Sequence, residues 1–359
     1  MTTRTSIYDR ISERRLAKEN RQLQFEAVFP TADFNASCAS IVRAWIWLPC
    51  GAFDSPLPAS ELSGMFGGFT HDSRLINACG LRQPISRLAT PAAGRPEVGA
   101  LNRCSEVLHA ALSQWSTALR ASIDWSNTQV VLFVPDAVSA LDWFDRVVYL
   151  WPPELSPTRG FDLQMQAPAQ WLAELPGSRA AAQFLLCLSV DSWACEERVT
   201  ACAADEVAGE AVCAVLLCRQ PQPLERTTVD RPKLFAPISL DHGSHSPQGC
   251  NDTQAFEQMM VKLGERTGID PTRVDVLIGE GALDRQSIGQ LRQYASDCLP
   301  RLDLNQPIRI IPIGARFGTV TEQWVQIGFA GLIASADSDC VVWLLDRTQL
   351  NQPQGWLIG

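Results

Sequence analysis

Two segments of the chain repeat one order of features: an apolar strand, an acidic turn and a helix. They are QVVLFVPDAVSALDWF (129–144) and VDVLIGEGALDRQSIGQL (274–291). Each half later contains a strongly apolar strand, AVCAVLLC (211–218) in the first and CVVWLLD (340–346) in the second. Near-continuous apolar strands are typical of sheets covered by helices on both faces. The repeat therefore predicts an α/β fold made of two related halves.

The length and the spacing of polar segments predict how these halves are divided. With 359 residues, 46% of them hydrophobic, the chain can bury a sizeable core. A segment rich in Pro, Gly, Ser and Asp separates two regions of regular pattern, and a charged helical pattern precedes both. The predicted units are a charged N-terminal helix or arm at 1–25, a first half at 26–220, a linker or long loop at 221–252, and a second half at 253–359.

The charge and hydropathy of the chain exclude several classes of partner. Lys and Arg number 30 against 39 Asp and Glu, which gives a net charge of −9. Nucleic-acid binding requires clustered positive charge, so no nucleic-acid partner is expected. No apolar run reaches about 18 residues, the length that a membrane span requires. The polar start MTTRTSIYDRISERR has no apolar segment of the kind found in secretory signals, so we expect a cytoplasmic protein.

The sequence predicts neither a metal nor a cofactor. Most of the twelve Cys lie in apolar runs, where a free thiol behaves as a small hydrophobic group. His242, His245 and Cys250 supply only three zinc ligands, in a polar segment. A G-x-S-x-G elbow, a phosphate-binding P-loop and a G-x-G-x-x-G turn after a strand are all missing from the sequence.

Four short motifs, in this order, resemble the thiolase-like superfamily and, within it, the β-ketoacyl synthases. They are VDS (190–192), AGEA (208–211) before an apolar strand, TGIDPTRVDVLIGEG (267–281), and IPIGARFGTVTEQWVQIGFAGLIASA (311–336). The resemblance extends over roughly residues 100–350 and implies a layered α/β/α/β/α fold built of two related halves. Family members usually pair through the first half, so a homodimer is one arrangement that the resemblance allows.

The chain departs from this family where the chemistry should be. The resemblance implies a Cys nucleophile with a lowered pKa and two His that assist condensation and stabilise an oxyanion. However, no Cys lies between Val130 and Leu186, Ile278 stands at the position of the first His, and Thr319 at the second. We therefore predict no catalytic residue in this pattern. The vestigial pocket that the resemblance predicts comprises Ile278, Gly279, Glu280, Gly281, Gly318 and Thr319.

The leading hypothesis is a non-catalytic thiolase-fold protein that binds another protein. Degenerate, Trp-rich members of this size resemble proteins encoded beside bacterial type VI secretion effector modules, which implies an adaptor or chaperone for a toxin effector. One alternative is an acyltransferase, hydrolase or other acyl-thioester enzyme with a rebuilt site, using His71 or Glu280. The other alternative is a protein that binds an acyl chain or an acyl carrier without turnover.

Surface character separates these hypotheses. An adaptor predicts an exposed apolar and aromatic patch, which monomeric proteins rarely show at large size. An enzyme predicts a concave pocket with convergent polar groups and shifted pKa values. A binder of acyl chains predicts an apolar tunnel without a nucleophile.

Overall fold

A computed structural model describes most of the chain. The described residues are 37–62, 68–90, 99–177, 182–203, 206–219, 231–239, 252–279, 285–302, 315–346 and 354–359. Several sequence predictions lie outside these ranges, namely the N-terminal helix at 1–25, the ligand candidates His242, His245 and Cys250, and the pocket residues Glu280 and Gly281.

The described part of the chain alternates strands and helices. In the first half the elements are β1 (Ser37–Leu48), β2 (Gly51–Phe53), β3 (Thr70–Ile76), β4 (Arg82–Ser86), α1 (Ala100–Ser122), β5 (Thr128–Phe133), α2 (Ala140–Leu150), β6 (Phe161–Gln164), α3 (Pro168–Glu174), β7 (Phe184–Ser192), α4 (Glu196–Val199) and β8 (Ala208–Cys218). They continue with β9 (Lys233–Phe235), β10 (Ile238–Ser239), α5 (Asp252–Thr267), β11 (Val274–Gly279), α6 (Arg285–Cys298), α7 (Thr319–Ala336), β12 (Val341–Asp346) and β13 (Gln354–Ile358).

The strand order shows that the two halves share one topology. The main path through the sheet runs β11-β12-β13-β9-β1-β8-β7-β5-β6. From β5 through β7 and β8 to β1 the pairings are parallel, antiparallel and antiparallel. From β11 through β12 and β13 to β9 the pairings are again parallel, antiparallel and antiparallel. The halves meet where β1 and β9 pair antiparallel, and the predicted relation between them is confirmed.

One detail of the predicted repeat is wrong. The segments 129–144 and 274–291 do correspond, because β5 and β11 hold equivalent places in the sheet. The apolar segments 211–218 and 340–346 do not correspond. The first forms part of β8, whose equivalent is β13, whereas the second forms β12, whose equivalent is β7. The apolar character of a strand indicates that the strand is buried, but it does not indicate the strand's place in the sheet.

The segment predicted as a linker or long loop contains two short strands. Lys233–Phe235 forms β9, which pairs with both β1 and β13 and so continues the sheet from one half to the other. Ile238–Ser239 forms β10 and pairs with β13. A strand of two or three residues bordered by Pro232 and Pro237 gives almost no periodic signal in the sequence.

Three apolar clusters define five layers. The central cluster unites α3 and α7 with the inner faces of strands from both halves. A second cluster packs α1 and α2 on the outer face of β1, β5, β7 and β8. A third packs α5 and α6 on the outer face of β11, β12 and β13. The alternation of strand side chains between faces produces this α/β/α/β/α order.

Helix α7 lies at the centre of the molecule. It is buried along most of its length and packs on β1, β8 and β12. Two glycines allow this close approach, since a Cβ at Gly331 would lie 2.8 Å from Ile41 and one at Gly328 would lie 3.2 Å from the Cys213 Sγ. The small-residue segment at 324–336 therefore encodes a central helix. In the described ranges no helix is long and apolar enough to cross a membrane.

Candidate functional site

The N-terminus of α7 meets the carboxyl ends of β5 and β7. Gly318 caps the helix, Asp136 follows β5, and Asp191 lies near the end of β7. In α/β sheets the carboxyl ends of the strands are where ligands usually bind. We call this arrangement, with Arg198 beside it, the α7 junction. Of the predicted pocket residues, Gly318 and Thr319 lie at this junction.

Two carboxylates fill the space beside Gly318. An ideal Cβ on Gly318 would lie 1.8 Å from the Asp191 Oδ2 and 2.6 Å from the Asp136 Oδ2. A real Cβ never approaches an oxygen so closely, so only glycine fits here. Carboxylates at a helix N-terminus are stabilised by the positive end of the helix dipole. Thr319, where the family pattern places a His, is exposed.

An arginine bridges the two carboxylates. Arg198 donates to the Asp191 Oδ1 in a buried ion pair, and its Nη2 lies 4.0 Å from the Asp136 Oδ2. The Arg198 guanidinium also stacks 4.3 Å from the ring centroid of Trp193, and the Arg316 guanidinium lies 4.0 Å from the same ring. Paired charges and a stacked indole thus surround the junction.

Asp191 is the titratable group of this junction. It is 1% exposed. Burial raises the pKa of Asp191 to about 7; the Arg198 guanidinium opposes this rise and Asp136 adds to it, while the backbone amides of Ser192 and Gly318 oppose it. Asp191 therefore exchanges a proton in the neutral range, where an ordinary aspartate stays ionised.

We expect Asp191 to make the protein less stable as the pH rises from about 4 to about 7. The pKa of this carboxyl rises from 3.8 in the unfolded chain to about 7 in the folded protein. In that window the folded state binds the extra proton, so the free energy of unfolding falls as the proton is lost. Urea unfolding of the wild type and of Asp191→Asn at several pH values tests this. The substitution should flatten the slope, and identical slopes would contradict the assignment.

The VDS and AGEA motifs meet in a buried ionic network. Glu210, in β8, is 0% exposed. Its carboxylate accepts hydrogen bonds from the Arg103 Nε at 2.7 Å, the Arg103 Nη2 at 2.8 Å, the Ser192 Oγ at 2.9 Å and the Leu88 amide at 2.9 Å. The hydrogen bonds of Glu210 therefore connect β8 with β7 and α1. Sequence reasoning missed Arg103, because nothing in a helical pattern marks the partner of a distant glutamate.

The cysteines nearest the junction are not activated as nucleophiles. Burial raises the pKa of Cys195 to about 11 and that of Cys202 to about 11, and it also raises the pKa of Cys104 well above its usual range. A thiolate nucleophile requires the opposite shift. In the described segments no group of His, Cys, Asp and Glu is arranged to hold a metal ion.

The other predicted site residues that the structure describes lie on β11 and β3. Ile278 is buried in the central cluster and Gly279 ends β11, where it pairs with β12. His71 is exposed on β3, with its ring 5.8 Å from that of Phe69. The sequence patterns did not single out Asp136 and Arg198 as site residues. For Asp136 there was one usable signal, its place just after an apolar strand.

Comparisons with known proteins bear on the fold. No family model matches the sequence, and no curated protein matches it. A solved structure of a variant of OleA from Xanthomonas campestris with cerulenin is 11% identical, covers 92% of this chain and 99% of that chain, and has a TM-score of 0.50. A cerulenin-soaked OleA structure is 11% identical, covers 89% and 98% of the two chains, and has a TM-score of 0.50. The 3-oxoacyl-[acyl-carrier-protein] synthase III from Aquifex aeolicus is 10% identical, covers 89% and 99%, and has a TM-score of 0.48.

At such low identity this likeness establishes the fold alone. It agrees with the five layers and the duplicated topology described above. The chain has a thiolase-like layered α/β/α/β/α fold built of two related halves.

Proposed function

We propose that the protein is a non-catalytic binding protein built on a thiolase-like fold. The observation that supports this most is the occupied space at the α7 junction. Asp136 and Asp191 occupy the space beside Gly318, and Arg198 pairs with Asp191 and lies 4.0 Å from Asp136. The described cysteines around it, Cys195 and Cys202, have raised pKa values, so neither of these thiols is activated as the nucleophile of a condensing reaction.

An exposed apolar surface in the first half supports a protein partner. Leu141 is 69% exposed, Val148 44% and Tyr149 84%, all on α2, and Met165, which follows β6, is 77% exposed. Positions 141, 148 and 149 lie on one side of the helix. We call these four residues the α2 surface. Tyr and Met are enriched in protein interfaces, and exposed Tyr is frequent at binding hot spots.

The neighbouring strand offers a second kind of contact. β6 ends the sheet, pairing only with β5 in the described ranges, so its outer edge has backbone groups without a strand partner. A partner that covers the α2 surface can also pair with this edge. The partner we propose is a secreted toxin effector of a type VI system, for which the protein acts as adaptor or chaperone in the cytoplasm. A second copy of the chain is the competing occupant.

One observation favours an enzyme as the second candidate. Asp136 has a 38% exposed side chain beside the buried Asp191, whose pKa is raised to about 7. A carboxyl group whose pKa is raised towards neutrality can act as a general acid or base. This pair would belong to an acyl-thioester enzyme with a rebuilt site or, without turnover, to a protein that binds an acyl chain or acyl carrier.

Incubation with acyl thioesters tests the proposal. The purified protein is mixed with acyl-coenzyme A and acyl-carrier thioesters of several chain lengths, and intact mass and free thiol are measured. We expect an unmodified protein mass and thioester loss no faster than without protein. Turnover that disappears in both Asp136→Asn and Asp191→Asn would instead support the enzyme.

Charged substitutions on the α2 surface should remove partner binding without unfolding the protein. For Leu141→Asp with Tyr149→Asp we expect at least tenfold weaker binding of the co-purifying protein, because the apolar contact is replaced by carboxylates. The thermal midpoint should change little, since both side chains are exposed. Leu81→Asp, at a 56% exposed position between β3 and β4, is the matched control. Equal binding by all variants would locate the partner elsewhere.

A further inference from the structure

A cleft lies at the opposite end of α7 from the α7 junction. Its volume is about 200 Å³, and it opens where β11 and β12 begin. Ala334, near the end of α7, lines it, and at 1.5 Å per residue this places the cleft about 24 Å from Gly318. The cleft is therefore separate from the site discussed above.

The cleft is basic, although the protein is acidic. Arg231, Lys233 and Arg273 line it, and Asp339 is the acidic side chain among the lining residues. Gly359 also lines it, and its backbone exchanges two hydrogen bonds with the backbone of Lys233. The chain as a whole carries a net charge of −9. Within the described part of the chain, no carboxylate forms an ion pair with Arg273. Positive side chains that converge on a concave surface attract anions.

Part of the lining of the cleft is apolar, and we call this part the floor. Phe235, Ile269 and Val341 line it together with Pro232 and Cys340. A fully hydrated ion such as phosphate gains nothing from such a floor, whereas an anion with an apolar part buries that part there. The volume is below the roughly 300–1,000 Å³ of sites for drug-sized ligands, so the ligand is small.

We propose that this cleft binds a carboxylate joined to a short apolar group. Arg273 holds the carboxylate together with Arg231, whose side chain also hydrogen-bonds that of Cys218, and the apolar group lies on the floor formed by Phe235, Ile269 and Val341. A free short-chain carboxylic acid and the C-terminal end of a peptide share this chemistry. The site is independent of the proposed function, since it contains none of the residues of the α7 junction or the α2 surface.

The cleft also adjoins two helix ends, which gives a competing explanation for its basic residues. Thr267 ends α5 and Asp337 follows the last residue of α7. Cations near helix C-terminal ends are stabilised by the helix dipole without any ligand. If stabilisation of the helix ends is the whole role of the basic side chains in the cleft, substitution of Arg273 lowers the thermal midpoint and no ligand binds.

Titration calorimetry with the full chain tests the proposal. The probes are butyrate and N-acetyl-glycyl-leucine, with butyramide and inorganic phosphate as controls. We expect saturable binding of at least one carboxylate, and at least tenfold weaker binding of butyramide and phosphate. Tighter binding of butyrate identifies a free acid as the source, and tighter binding of the dipeptide identifies a peptide end.

Variants locate the binding to the cleft. Arg273→Gln and Arg231→Gln should each weaken carboxylate binding at least tenfold, while Arg146→Gln, an exposed position on α2, should leave it unchanged. Circular dichroism checks that each variant is folded. The proposal is overturned if neither carboxylate binds the wild type at millimolar concentration, if butyramide binds equally, or if folded Arg273→Gln and Arg231→Gln bind as the wild type does.

Discussion

Replacing Gly318 by Ala is expected to lower the free energy of unfolding by about 3 kcal/mol, the upper range for overpacking a rigid interior. The added methyl group would overlap the Asp191 Oδ2 at 1.8 Å and the Asp136 Oδ2 at 2.6 Å. Asp191 cannot retreat freely, because Arg198 and the Ser192 amide bind its other oxygen. Urea unfolding followed by circular dichroism measures the loss.

A second glycine provides the control for this experiment. Gly289 lies exposed in α6, and a Cβ there meets nothing within 4 Å. Gly289→Ala should therefore stabilise the protein by about 0.5–1 kcal/mol, through helix propensity and a less flexible unfolded chain. If Gly318→Ala were as stable as the wild type, the two carboxylates would not fill the space beside Gly318, and the proposal that they occupy the site would be wrong.

Glu210→Gln is expected to cost about 3 kcal/mol or more. The substitution keeps the shape of the side chain but leaves Arg103, which is 1% exposed, without its buried counter-charge. Removing one partner of a buried ion pair typically costs 3–5 kcal/mol, because the remaining charge stays desolvated. Glu106 still pairs with Arg103 at 2.7 Å, so we place the loss at the lower end of that range.

The exposed pair Arg316–Glu206 gives the comparison. Its N–O distance is also 2.7 Å, but its side chains are 41% and 37% exposed. Water screens such a pair, and Glu206→Gln should change the free energy of unfolding by no more than about 1 kcal/mol. Equal losses for the two glutamates would show that burial does not determine the strength of the Glu210 network.

The fold could be predicted from the sequence where apolar periodicity was strong. The matching of β5 with β11, the central helix α7 and the buried strands follow from alternation and small-residue spacing. Strand order did not follow, since apolar strands look alike wherever they lie. The short β9 was also missed, because three residues next to a proline give no period.

The site was harder to predict than the fold. Gly318 and Thr319 were singled out through a family resemblance, and the structure describes both at the start of α7. Their partners Asp136, Asp191 and Arg198 come from three different segments, and only tertiary packing brings them together. A carboxylate at a strand end has many explanations in sequence. The raised pKa of Asp191 arises from burial, which one sequence does not reveal.

We propose that this thiolase-like fold binds a protein and performs no acyl chemistry. A native mass spectrum of the tagged protein, purified from its own host, tests this proposal most directly. We predict a complex with a second, different protein in fixed stoichiometry, which is lost when Leu141 and Tyr149 on the α2 surface are replaced by Asp. A bare monomer or homodimer that carries an acyl-sized mass adduct would contradict the claim.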